Sequence, residues 1–177
     1  MTATLEWAIG PDGQPRSASW FIGVEPRERP SMTCPCVGAD GSRHEVIAKA
    51  GESGKVTPHF AHLPESTCAA TNPETAEHYN AKMRLASILS DADGLCVVAQ
   101  CKRGHRVSSV WSVHSWVSVA PEFTVGTRRP DVALLDAKGN AIGAIEVLHS
   151  HAVDGRKARD LAASGLRWIE VRSLVAL

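Results

Sequence analysis

The sequence predicts a mixed α/β (α+β) protein, with a small strand-rich module over residues 1–70 and a helix, strands, helix, strand body over residues 71–177. Three observations carry that reading. Two helical patterns with clear end signals flank a run of short apolar strands after residue 71, and a turn-rich stretch before it gathers cysteines and histidines. The segment "RPDVALLDAKGNAIGAIEVLHSH" then reads as two apolar strands around a Lys-Gly-Asn turn. At 177 residues the chain has room for one domain with a real core and a small appended module.

The 19 basic and 19 acidic residues cancel, so there is no global positive field of the kind many nucleic-acid binders carry. A local basic strip remains open, because Arg103, His105, Arg106, Arg128 and Arg129 share one stretch, although solvated strand ends explain the same residues. The start, "MTATLEWAIGPDG", lacks a basic region followed by a long apolar run, and no later segment approaches the roughly 18 apolar residues of a membrane span. A cytoplasmic, soluble protein with no membrane partner is expected. Five cysteines, an odd number without a secretion signal, argue against a disulfide framework.

Residues 1–33 carry Gly10, Pro11, Gly13, Pro15, Pro26 and Pro30 between short apolar runs, which predicts loops with one or two edge strands. From Cys34 to Cys68, turn signals such as "GADGS" and "GESGK" alternate with strands such as "HEVIAKA", a β module too small to hold itself together by its core alone. Within it, "CPC" at 34–36, "HFAH" at 59–62 and Cys68 supply metal-ligand residue types. Zinc takes four such ligands tetrahedrally, and closing the module around the ion would add folding energy. The expected structural Zn²⁺ set is Cys34, Cys36, Cys68 and one of His59 or His62. The Cys-x-Cys spacing is tighter than a usual zinc knuckle, and small buried cysteines are the competing explanation. Cys96, Cys101 and His105 read as core and strand residues rather than a second site.

The stretch "TNPETAEHYNAKMRLASILSDADG" predicts a helix, with Thr71 or Asn72 as cap, Pro73 in the first turn and Gly94 closing it. Glu74, Glu77, His78 and Lys82 fall on the same side as Ala81, Leu85, Ile88 and Leu89, so the apolar stripe turns polar at its N-terminal end. That pattern suits a helix reaching the edge of an active site. Surface charge pairing in an exposed first turn is the alternative. A second helix, "VDGRKARDLAAS", ends at Gly165 before the strand "RWIEVRSLV".

In the hairpin, Asp131 and Glu146 stand among residues that otherwise want burial. An unpaired carboxylate there is costly, so either a cation neutralises the acids or the alternation turns them to solvent. Two carboxylates on adjacent antiparallel strands can hold Mg²⁺ or Mn²⁺, whose remaining positions take water and a substrate phosphate. A metal so placed supports phosphodiester hydrolysis. Pairing with Arg128, Arg129 or Arg172 is the structural alternative.

"PD" at 130–131 followed by "IEV" at 145–147 resembles the PD-(D/E)xK nuclease superfamily. Taken in order, "CPC", "HFAH", Cys68, "ETAEHYNAK", "RRPDV" and "IEV" resemble the competence protein CoiA-like family over roughly residues 30–172. The resemblance implies a restriction-endonuclease-like αβββαβ core behind an N-terminal Cys/His module. It makes Asp131 and Glu146 the metal-binding acids and Glu77 or Glu74 an additional one, and His78 and Lys82 match the family's "EH" and following lysine. The chain departs from the superfamily at Leu148, where a lysine lies two residues after the glutamate. Lys82 or Lys157 could reach in from a helix, or His149 or His151 could take over, with Lys82 favoured. The implied function is a metal-dependent deoxyribonuclease with catalytic Mg²⁺ or Mn²⁺. It would act on single- or double-stranded DNA, with Arg128 and Arg129 on phosphates and a homodimer allowed. The alternative is a non-catalytic, zinc-containing nucleic-acid-binding protein with a decayed nuclease core.

Overall fold

Alternation of side chains in short strands builds the N-terminal part of the chain. The computed structural model describes residues 4–37, 41–51, 57–64, 66–68, 73–92, 94–100, 106–114, 116–148 and 153–172, without the side chains of 37, 73–75, 96–100 and 106–114. The chain divides into two compact units, Met1–Met83 and Arg84–Leu177, and helix α1 (Pro73–Ser90) runs across the division.

The first unit is a five-stranded antiparallel sheet made of β1 (Trp7–Ile9), β2 (Pro15–Ser17), β3 (Met32–Val37), β4 (Arg43–Lys49) and β5 (His59–His62), in the order β2-β1-β3-β4-β5. Strand β4 shows the rule that builds it: Val46 and Ala48 turn inward while Glu45, Ile47 and Lys49 face water. The stretch 1–33, expected as loops with edge strands, does more than that. Leu5, Ala8, Ala18 and Phe21 join Met32, Val46, Ala48 and Phe60 in one core, so the Cys/His module is not coreless. Each fully buried large side chain there contributes about 1.5–3 kcal/mol. Tyr79 and Met83 of α1 pack into the same core, and the Asn80 amide accepts from Glu6 N at 2.8 Å and donates to Thr4 O at 2.7 Å. A buried amide satisfied by backbone on both sides ties α1 to the chain start.

In the second unit β6 (Gly94–Gln100) and β7 (Arg106–His114) pair as a separate hairpin. Strands β8 (Ser118–Pro121), β9 (Val132–Leu135), β10 (Ala141–Leu148) and β11 (Arg167–Arg172) form the main sheet in the order β11-β10-β9-β8. β8, β9 and β10 are antiparallel neighbours, whereas β10 and β11 are parallel. A parallel pair needs a crossover, and α2 (Gly155–Ala163) supplies it. Its N-cap Asp154 accepts from Arg156 N and Lys157 N at 2.8 Å. The β9–β10 turn falls where Lys-Gly-Asn predicts it, with Asp136 Oδ1 accepting from Lys138 N and Asn140 N at 2.8 Å. Gly139 takes the left-handed conformation there at φ 78.

The two faces of this sheet differ. Val132, Leu134, Ile145, Ile169 and Val171 form one face and pack with Ala86 and Leu89 of α1. Ala133, Ala144 and Glu146 point the other way by alternation, and a bond from Lys157 to Glu146 puts α2 over them. Coverage on both sides explains why β9, "VALL", is buried along its whole length. Among the described residues no helix is long and apolar enough to cross a membrane.

Candidate functional site

Strand register gathers acids on the α2 face of the sheet. Val132 pairs with Ile145, so one step further puts Asp131 opposite Glu146, and Glu146 pairs in turn with Glu170 of β11. Three carboxylates thus share one row, Asp131 just before β9, Glu146 on β10 and Glu170 on β11. Asp131 is buried, and its Oδ2 accepts the Val147 N–H at 2.8 Å. Glu146 is 2% exposed; its Oε2 accepts from Lys157 Nζ at 2.7 Å, while its Oε1 is buried with no hydrogen-bond partner. Burial pushes Glu146 up to about 7, the Asp131 carboxylate adds to the rise, and Lys157 opposes it. Near neutral pH Glu146 therefore stands close to the point where it gains or loses a proton, and the Asp131 carboxylate beside it favours the protonated form.

An orphaned buried acceptor costs about 1–3 kcal/mol and calls for an explanation. A divalent cation between Asp131 and Glu146 is one that fits the oxygen chemistry of the donors. Glu170 serves a supporting part: its Oε1 accepts Val153 N at 2.5 Å and so fixes the residue before the Asp154 cap, three positions from Lys157. Sequence reading missed Glu170 because only the parallel pairing with β10 brings it beside Glu146.

The lysine at the carboxylates is Lys157. Lys157 and Leu161 are four apart on α2, and Leu161 is fully buried, so the helix carries Lys157 on its inner face, whereas the sequence reading favours Lys82. Glu77, His78 and Lys82, expected at the site, belong to the first unit; Glu77 is exposed, His78 half-buried, and Lys82 buried with its Nζ 5.9 Å from the Tyr79 ring centroid. Leu148 pairs with Arg172 and is half-buried. The side chains of Glu74 and Cys96, and residues Cys101, His105, His149 and His151, lie outside the described residues.

The arginines expected on phosphates have partners inside the unit. Arg128 Nε donates to Asp160 Oδ2 at 2.7 Å and its Nη2 donates to the same oxygen, which clamps α2 to the chain just before Asp131. Arg129 Nε donates to Glu122 O at 2.6 Å and pairs with the Glu122 carboxylate at 3.2 Å, yet its side chain is 59% exposed. Of the two side chains, that of Arg129 is the more open to solvent.

The second cluster lies in the first unit. The Sγ atoms of Cys34 and Cys68 and a ring nitrogen of His62 all lie within 4.8 Å of one another. Cys34 and Cys68 are buried, their sulfurs 3.4 Å apart, and neither they nor Cys36 is in a disulfide. Cys36 N–H donates to Cys34 Sγ at 3.4 Å, and the Cys36 thiol and burial push the Cys34 thiol upward in the metal-free chain. His62 Nε2 is buried without a hydrogen bond. Burial and the nearby His44 pull His62 down, which keeps its imidazole neutral and able to ligate.

Register decides between the two histidines. His62 pairs with Val46 and so shares the inner face with Phe60, whereas His59 pairs with Lys49 on the outer face and bonds Thr57 O through Nδ1 at 2.9 Å. The period of two in "HFAH" carried that signal, since His62 must lie on the side of Phe60.

Comparison of the chain with protein families, curated proteins and solved structures finds no match.

Proposed function

We propose that the protein is a metal-dependent nuclease that hydrolyses phosphodiester bonds in DNA, with Asp131 and Glu146 as the acids that hold Mg²⁺ or Mn²⁺. The observation that carries this reading is the buried Asp131–Glu146 pair with its unpartnered Oε1. When bound, such a cation activates water and neutralises charge developing on the phosphate. The chain's own part is to fix the geometry. Val147 N–H orients Asp131, while the Arg128–Asp160 pair and the Glu170–Val153 bond fix α2. Lys157, carried by α2, supplies the positive charge beside Glu146 that Leu148 cannot. A lysine from a helix serves as well as one from the strand, because only the position of its ammonium matters. After α1 and the separate β6–β7 hairpin, the order β8, β9, β10, α2, β11 in one mixed sheet supports a restriction-endonuclease-like core, and the resemblance to CoiA-like proteins supports DNA as substrate.

A second reading, a non-catalytic nucleic-acid-binding protein with a decayed core, is favoured by Leu148 and by the internal pairing of Arg128. Wild type and Glu146→Ala, both verified as folded by circular dichroism, separate the two on linear and circular, single- and double-stranded DNA with Mg²⁺, Mn²⁺ or EDTA. Cleavage by wild type alone, abolished by EDTA, supports the nuclease. Equal binding with no cleavage by either protein supports the second reading.

A further inference from the structure

We infer that Cys34, His62 and Cys68, whose ligand atoms already lie together, take Cys36, the neighbour of Cys34, as the fourth ligand of a closed tetrahedral zinc site whose task is to pin the segment entering α1 to the β-sheet. The inference stands apart from the nuclease reading. Zinc–sulfur bonds of about 2.3 Å put two sulfur ligands of a tetrahedral ion roughly 3.8 Å apart. The Cys34–Cys68 separation of 3.4 Å is close to that and far from the roughly 2.05 Å of a disulfide. A ring nitrogen of His62 lies within 4.8 Å of both sulfurs, and its Nε2 is buried and unbonded.

The tight Cys-x-Cys spacing is resolved by a break in the ladder. Thr33 pairs with Glu45 and Val37 with Arg43, so Cys34, Pro35 and Cys36 together face the single residue His44. A bulge of this kind bends its strand and re-aims side chains, and here the Cys36 amide turns onto Cys34 Sγ. Arg43 Nη1 holds the bulge from outside by donating to the carbonyls of Cys34 and Pro35. Three thiolates and one imidazole select zinc over hard cations and leave no position for substrate, so the site is structural.

The strands share a core of apolar side chains, Leu5, Ala8, Phe21, Met32, Val46 and Phe60 among them, so burial as well as any ion holds β1–β5 together. What zinc adds is a link at Cys68, which belongs to no strand and precedes α1 by a few residues. Cys68, Tyr79 and Met83 share the core with Cys34, so tethering Cys68 to β3 sets where α1 begins.

The test is zinc content of the full chain by inductively coupled plasma mass spectrometry, followed by Co²⁺ substitution. One zinc per wild-type chain is expected, with near-complete loss in His62→Ala and Cys68→Ser and full retention in His59→Ala. In the cobalt form, Cys36→Ser should keep tetrahedral bands and lose about a third of the thiolate charge-transfer intensity. Hydrogen exchange of wild type with and without zinc avoids reliance on variants that fail to fold: chelation should raise exchange in 76–83 much more than in β1 and β2. Wild type that takes up no zinc on reconstitution overturns the site, as does equal zinc loss in His59→Ala and His62→Ala. Cobalt bands unchanged in Cys36→Ser overturn that ligand, and a uniform rise in exchange overturns the pinning of α1.

Discussion

Among the described residues, two buried side-chain atoms lack a hydrogen bond: His62 Nε2 in the first unit and Glu146 Oε1 in the second. Each sits where ligand-type residues converge, but the surroundings differ in kind. Around His62 the neighbours are two cysteine sulfurs, soft donors of the kind that suit zinc. Around Glu146 they are a second carboxylate and a lysine ammonium, a hard-oxygen pair with a cationic side chain already bonded to one oxygen. The same local signal, an orphaned polar atom, therefore belongs to two different proposals, a permanent structural ion in one unit and an exchangeable one in the other. Residue chemistry, rather than burial, separates them.

The largest effect that could break this contrast is on cleavage. Glu146→Ala removes one holder of the cation, and losing several kcal/mol of transition-state stabilisation should cut cleavage roughly a thousandfold. Zinc content should stay unchanged in that variant. A fall in both, measured on the same preparation, would mean that the two clusters are not independent.

Next comes Lys157→Met, expected to lower cleavage about a hundredfold, as loss of a supporting charged group does, with partial recovery in Lys157→Arg. A single-turnover assay on the same DNA reads it directly. Lys82→Met is the control that distinguishes a lysine on α1 from one on α2. If Lys82→Met is the more damaging change, the assignment of Lys157 fails.

The pH dependence sharpens the contrast further. Folded metal-free protein holds the Glu146 proton up to about 7, whereas the unfolded glutamate releases it near 4.5. The unfolded state therefore binds fewer protons between those values, and stability should fall as pH rises from 4.5 to about 7 and level off beyond, by up to roughly 3 kcal/mol. Urea titrations across this range should show the slope in wild type and its loss in Glu146→Gln. A slope that persists in Glu146→Gln would assign it to another group.

The smallest expected effect is at the surface. Arg129→Ala should weaken DNA binding modestly and reduce the slope of log affinity against log salt by about one. Fluorescence anisotropy at several salt concentrations measures it.

Much of the second unit was legible because its elements carry local signals. The Lys-Gly-Asn turn, the continuous apolar run of β9 and the two acids of the hairpin all stand in the sequence. The contact between Lys157 and Glu146 was only half legible: Lys157 stands among the options but Lys82 is favoured, since no local pattern records which strand lies beneath α2. Glu170 was not, because parallel pairing through a crossover sets its neighbour, and no local pattern records that. The N-terminal sheet was hidden for another reason. β1 and β2 have three residues each, too few for alternation to show, and long-range pairing to β3 holds them. In the Cys/His cluster the ligand types were plain, yet the bulge that lets Cys34 and Cys36 converge appears only as a break in register.

The most direct measurement is titration of Mn²⁺ into zinc-loaded wild type and Glu146→Gln by isothermal calorimetry at several pH values. The expected result is Mn²⁺ binding in wild type that tightens about tenfold per pH unit below about 7 and then levels, with no binding in Glu146→Gln. No Mn²⁺ uptake by wild type, or equal uptake by both proteins, would contradict a cation site at Asp131 and Glu146.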